Sequence, residues 1–201
     1  MFEWQRLYDN NITCEGVKCI FNGKLSNLST LDLSNNNIGD GGAKFLSNGN
    51  LSNLATLRLG YNNIGDEDAR FVANGNLSNL TTLDLGNNII GSEGTKYLAN
   101  GNLSNLSTLI LNFNKIESEG AKYLANGKLF NLTTLALFNS NIGNEGAKFL
   151  INGNLPNLTT LDLGDITDIG SENDQTESSD NDDNSSFSDS SDYESPNKKR
   201  K

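Results

Sequence analysis

Leucine recurs along this chain in three columns that repeat together. One holds Leu28, Leu54, Leu80, Leu106, Leu132 and Leu158; three residues on come Leu31, Leu57, Leu83, Leu109, Leu135 and Leu161; two further on come Leu33, Leu59, Leu85, Leu111, Leu137 and Leu163. The period is 26 residues, with no insertion from Leu28 to Asn157. In stretches such as LDLSNN, leucines alternate with polar residues, which predicts a short strand with one face buried. Stacked copies of that strand predict a parallel sheet, and a period of this length marks a solenoid in which each turn buries its apolar side only against its neighbours.

The second half of each period predicts a short helix. Asp40, Asp66, Ser92, Ser118 and Asn144 occupy a column of N-cap residue types. Glu67, Glu93, Glu119 and Glu145 follow in the first turn, where the helix dipole favours acid. Ala43, Leu46 and their equivalents form the inner side, while Lys44, Arg70, Lys96, Lys122 and Lys148 point to solvent. Asn-Gly pairs at 48/49, 74/75, 100/101, 126/127 and 152/153 are expected to supply left-handed residues that stop the helix. A second polar column, Asn36, Asn62, Asn88 and Asn114, is expected inside the bend after the strand, satisfying backbone groups that the turn leaves unpaired. It fails at Ser140 and Ile166, so the last turns are expected to be less regular.

With Ile38, Ile64, Ile90, Ile116 and Ile142 added, the unit reads LxxLxLxxNxI. From residue 1 to about 166 the chain resembles the leucine-rich repeat family, and its GAKxLxNGNL half is most similar to the ribonuclease-inhibitor-like subclass, shortened. That resemblance implies an α/β fold: a right-handed solenoid with a parallel sheet on the concave face and short helices on the convex face. It also implies that the concave face binds other proteins. Residues 1–27 keep the frame with Gln5 in place of a core leucine and read as a degenerate N-terminal capping repeat; 28–169 read as the solenoid, five full repeats and a truncated last one; 170–201 read as an acidic tail. Cys14 and Cys19 fall in the N-cap column and the helical aromatic column, and a structural role is expected for both.

Charge changes this picture only at the end of the chain. The net charge is −10, yet residues 1–164 hold 14 acidic and 11 basic residues whereas 165–201 hold 11 and 4. The Ser/Asp/Asn-rich tail is expected to be disordered, having too little apolar surface to offset its ordering entropy. The chain has no histidine, which removes the commonest general base and the usual partner of a nucleophile. Catalytic, metal and cofactor sites are all expected to be absent. No run approaches about 18 apolar residues and the start carries no leader pattern. An intracellular protein, cytoplasmic or nuclear, is therefore expected, with no membrane and no nucleic acid among its partners.

Candidate binding residues lie beside the buried leucines. Arg6, Asp32, Arg58 and Asp84 alternate in sign up one strand column, and cross-strand ion pairs are expected there. Ile110, Phe113 and Phe138, with Asn112 in the next column, place apolar surface on a face that should be polar. Tyr61 at a strand exit, and Trp4 and Tyr8 in the first repeat, are further candidates because aromatics and arginine dominate binding hot spots. In the tail, Ser171, Ser179, Ser186 and Ser191 each precede an acid by three residues, a pattern of acid-directed phosphorylation, and Lys198, Lys199, Arg200 and Lys201 form a short nuclear-import cluster. Asparagine sequons at 27, 79, 105, 131 and 157 are by-products of the repeat. The leading expectation is a non-enzymatic, monomeric scaffold that binds another protein. Repeats followed by an acidic tail also resemble Ran GTPase-activating proteins, which implies a regulator of a small GTPase as an alternative. A spacer or decayed repeat fragment is the third. At the C-terminal edge, Leu158, Leu161 and Leu163 are expected to be covered by Ile166 and Ile169 folding back as a minimal cap, with two chains meeting end to end as the alternative.

Overall fold

The computed structural model describes residues 4–23, 25–39, 41–49 and 51–164. Each period contributes one strand and one helix. The strands are β1 Trp4–Arg6, β2 Thr30–Asp32, β3 Thr56–Arg58, β4 Thr82–Asp84, β5 Thr108–Ile110, β6 Thr134–Ala136 and β7 Thr160–Asp162; the helices are α1 Cys14–Phe21, α2 Ala43–Asn48, α3 Asp66–Asn74, α4 Ser92–Asn100, α5 Glu117–Asn126 and α6 Gly143–Ile151. The strands form one parallel sheet in sequence order. Register follows the period without a slip, so that Leu57 pairs with Leu31 and Leu83, and Leu109 with Leu83 and Leu135. A shift of one residue would turn every leucine to water, and the core forbids it.

That core combines the three leucine columns, the isoleucine column, the leucines at 51, 77, 103 and 129, and the helix-side alanines, leucines and valines. Leu31, Leu57, Leu83, Leu109 and Leu135 are all fully buried, each stabilising the stack by about 1.5–3 kcal/mol. Helices of at most 10 residues are too short to persist alone, so packing rather than propensity holds them. The first repeat is a complete strand and helix, paired in register with the second.

The Asn column performs its expected role. Asn88 Oδ1 accepts the N–H groups of Asn62 and Ile64 at 3.1 and 2.9 Å, while Nδ2 donates to the carbonyls of Leu59, Leu85 and Gly86. Asn36, Asn62 and Asn114 repeat most of this set. At Ser140 the hydroxyl reaches only the carbonyls of Leu111 and Phe138. Helix entry also switches from extended glycine, φ −103° at Gly65 and −102° at Gly91, to left-handed backbone at Glu117 and Gly143, φ 61° and 63°, a change that begins one repeat before Ser140, where Asn114 still makes its bonds. Ile166 lies outside the described residues.

Two expectations about helix ends are corrected. No side-chain cap bond forms at any described helix, and α3 to α6 are entered through Gly65, Gly91, Ile116 and Ile142. Two polar residues of the cap column instead bind the following repeat: Asp66 Oδ1 accepts the Gly91 N–H at 2.7 Å, and Ser92 Oγ donates to the Ile116 carbonyl at 2.9 Å. In a stack, a neighbour's backbone lies as close as the residue's own helix. Asp40 lies outside the described residues.

The Asn-Gly glycines are not left-handed either, with φ between −67° and −78° at Gly49, Gly75, Gly101 and Gly127. Close approach is what requires glycine here: a β-carbon at Gly101 or Gly127 would stand 2.5 Å from the carbonyl oxygen of Ala73 or Ala99. The paired asparagines close the helix by bonding carbonyls four residues back, as Asn100 and Asn126 do with Lys96 and Lys122, both at 2.9 Å.

At the last repeat Leu158, Leu161 and Leu163 are half-buried. Ile151 stands in the column of the buried Ala73, Ala99 and Ala125 but is 73% exposed, with no following helix among the described residues. The proposed cap residue Ile169, like Ile166, lies outside the described residues.

Candidate recognition surface

Left-handed backbone occurs in each of the first six repeats immediately before the Asn column, and again two residues later at Asn11, Asn63 and Asn141. Asp9, Asn35, Tyr61, Asn87, Phe113 and Asn139 all have φ between 51° and 59°. Their N–H groups extend the parallel ladder beyond the strands, Tyr61 to the Gly86 carbonyl at 2.9 Å, Asn87 to Asn112 and Phe113 to Phe138 at 2.8 Å. Asparagine and aspartate tolerate this conformation, but a bulky side chain does not and is strained by about 1–2 kcal/mol. Tyr61 and Phe113 are the two exceptions in the column, and they are 59% and 41% exposed. Strain held at an exposed aromatic points outward, to something the side chain does beyond packing.

The strand-side residues sort into two groups. On β5 and β6, Ile110 pairs with Ala136, and Phe138 meets Phe113 edge to face with centroids 5.0 Å apart. Phe138 is 40% exposed, so the pair forms an apolar ridge between the sheet and the rim of the turns. Phe113 therefore belongs to the turn rather than to the strand face on which its sequence position suggested it. Asn112 is not free to bind: its Oδ1 accepts the Phe138 N–H at 2.7 Å and fixes the base of that ridge.

Toward the N-terminus the face is polar. The expected ion-pair ladder is not formed at its centre, because among the described residues no ion pair joins Arg58 to Asp32 or Asp84. Those carboxylates accept N–H groups two residues on in their own chain, from Ser34 at 3.1 Å and Gly86 at 2.9 Å. A short local bond to backbone wins over a solvated contact between long side chains. Arg58 is exposed, three residues before Tyr61 in the chain. Arg6 and Tyr8 are exposed in the first repeat, away from the Phe113–Phe138 ridge. Trp4 contributes backbone to β1, and its side chain lies outside the described atoms. Ser171, Ser179, Ser186, Ser191 and the cluster Lys198, Lys199, Arg200 and Lys201 lie outside the described residues.

Sequence reasoning missed Ile89, which is 51% exposed. With Asn37, Gly39 and Asn63 it lines a shallow pocket of about 240 Å³ on the same turns. Ile89 falls two residues beyond the left-handed column, in register with Asn63, and an apolar residue there was the available signal. Phe130, 48% exposed, was also missed; it replaces a serine that recurs at 26, 52, 78 and 104.

The helix face differs from the rim in that its charges find partners within the molecule. Glu15–Lys18, Glu67–Arg70, Glu93–Lys96, Glu119–Lys122 and Glu145–Lys148 pair one helical turn apart at 2.8–3.6 Å. Lys18, Lys96 and Lys122 also lie over the rings of Phe45, Tyr123 and Phe149 in the next repeat. Glu93's hydrogen bond and charge hold the Lys96 ammonium above its ordinary pKa. Among the described residues there is no cluster of metal-ligating side chains and no helix long and apolar enough to cross a membrane.

A parallel sheet built one strand per 26-residue turn, with a helix returning behind each strand, defines a repeat solenoid of the α/β class. Leucine-rich repeat profiles match residues 52–96 as two copies and 24–47, 102–125 and 128–150 as single repeats, and the chain belongs to the leucine-rich repeat proteins. A solved internalin from Listeria monocytogenes is similar at 28% identity and a TM-score of 0.54; the match covers 73% of this chain and 37% of the internalin. This chain thus spans little more than a third of that protein. No curated protein matches in sequence. Leucine-rich repeat domains are scaffolds typical of protein–protein interaction.

Proposed function

We propose that this protein is a non-enzymatic recognition scaffold that binds a protein partner across the strand exits of its third to sixth repeats. One observation carries the reading: Phe113 and Phe138 form an exposed edge-to-face pair on a side of the molecule that elsewhere presents threonine, aspartate and asparagine. Exposed apolar clusters rimmed by polar groups are contact sites, and aromatics supply most of the binding energy in such patches. Ile110 and Tyr61 extend the surface, and Arg58 gives it a charged margin. The eight- to ten-residue helices of five of the six repeats favour a shortened ribonuclease-inhibitor-like type of repeat. The site needs only one chain, which fits a monomer.

The test is affinity capture of protein partners by the full chain and by a triple variant, Ile110→Asp, Phe113→Asp and Phe138→Asp, with folding checked by circular dichroism. Capture by the wild type that disappears in a folded triple variant supports the reading. Identical capture by both removes this surface from the claim.

A further inference from the structure

The rim column carries information about the shape of what it binds. From Asn35 to Asn139 it alternates amide and aromatic: Asn35, Tyr61, Asn87, Phe113, Asn139. The ladder bonds at this column keep it in step with the sheet, so successive members stand about 4.8 Å apart and the two rings about 9.6 Å apart. An extended β-strand laid along the column presents side chains to one face roughly every 6.7 Å and falls out of step with the rings. An α-helix presents a side chain every turn, about 5.4 Å, and would set one on the polar Asn87 between them. A polyproline II helix advances about 3.1 Å per residue with three residues per turn, hence about 9.3 Å per turn. Of these three, only that period returns a side chain to each ring and leaves backbone over the position between.

Asn87 fits the same register. Its carboxamide makes no hydrogen bond among the described residues and is half-exposed, whereas polyproline II carbonyls have no internal partners and accept donors readily. Gly60 and Gly86, the residues before Tyr61 and Asn87, add no side chain of their own, and the neighbours beside them are the Asp84 carboxylate and Ile110. Tyr61 and Phe113, both left-handed, stand where the column otherwise holds asparagine or aspartate, at two positions about one polyproline turn apart. We infer that this rim is a docking rail for a proline-rich protein segment in the polyproline II conformation. Tyr61 and Phe113 receive residues one turn apart, and Asn87 donates to the backbone between them. The inference rests on the reading of this side as a protein-binding surface and specifies the partner's chemistry.

The test uses the full chain and a fluorescein-labelled oligoproline of about a dozen residues, long enough to pass both rings. Gly/Ser peptide of equal length and a cello-oligosaccharide serve as comparisons, read by anisotropy or by displacement of the labelled peptide. Oligoproline is expected to bind and to shift the amide resonances of residues 61, 87 and 113. Binding should weaken at least tenfold in Tyr61→Asn and in Phe113→Asn, both of which restore the residue type the column otherwise carries and so keep the fold. Failure of oligoproline to bind, equal binding by either variant, or equal binding of the Gly/Ser peptide or the sugar would overturn the inference. If protein capture is still lost in the Asp triple variant while oligoproline fails, the polyproline inference falls and the protein-binding reading stands; if capture is unaffected there, the broader reading falls with it.

Discussion

The helix face and the strand-exit rim are built from the same 26-residue unit, yet they use their side chains in opposite ways. On the helix face acids pair with bases one turn along, and three lysines cover aromatic rings of the next repeat. Those interactions are spent inside the molecule. On the rim, Tyr61 and Phe113 occupy a backbone conformation that suits asparagine, stand exposed, and strain the turn that carries them. A repeat protein can vary a column freely only where the stack does not need it, and the rim is where this chain varies. The lesson concerns columns rather than residues: at Tyr61 and Phe113 a departure from the periodic asparagine both raises local energy and exposes an aromatic ring, and it is the two together that mark a position held for something outside the fold.

The largest break in that contrast should come from the buried residue next to the rim. Asn88→Ala removes five hydrogen bonds and leaves the Asn62 and Ile64 N–H groups buried without acceptors. A loss of about 3–5 kcal/mol is expected in urea unfolding, since each buried unsatisfied donor costs about 1–3 kcal/mol. Glu117→Gly should act in the other direction. Glu117 has φ 61° where the next repeat places Gly143 at 63°, so relief of a left-handed non-glycine should raise stability by about 1 kcal/mol. The smallest effect should be on the helix face: Glu67→Gln dismantles an ion pair with Arg70 whose partners are 71% and 40% exposed. A change within about 0.5 kcal/mol, fading in high salt, is expected from thermal or urea melts.

Much of the fold was legible because period, burial and register coincide. The three leucine columns and the Asn column could be assigned from spacing alone, since each meets the same neighbours in every repeat. Helix ends were less legible. Asp66 and Ser92 have the chemistry of caps, but a stack offers them the following repeat's backbone, at Gly91 and Ile116, which no local rule anticipates. The Asn-Gly glycines were read for backbone freedom when they serve close approach, as at Gly101 against Ala73. At the surface, Phe113, Phe138 and Tyr61 stood out in the sequence by their apolar character. Their conformational strain did not, because φ is a property of the turn and not of the residue type. Asn112 looked like a free polar group and is a structural one.

The central claim is that the rim aromatics are kept against the interest of the fold. The urea midpoint of the full chain with Tyr61→Asn and Phe113→Asn combined tests it without needing the partner. If the rings strain their turns for an external purpose, the double variant should unfold at higher urea than the wild type with an unchanged slope, by about 1–2 kcal/mol in total. A midpoint at or below that of the wild type would show that Tyr61 and Phe113 stabilise the stack, and would contradict the account.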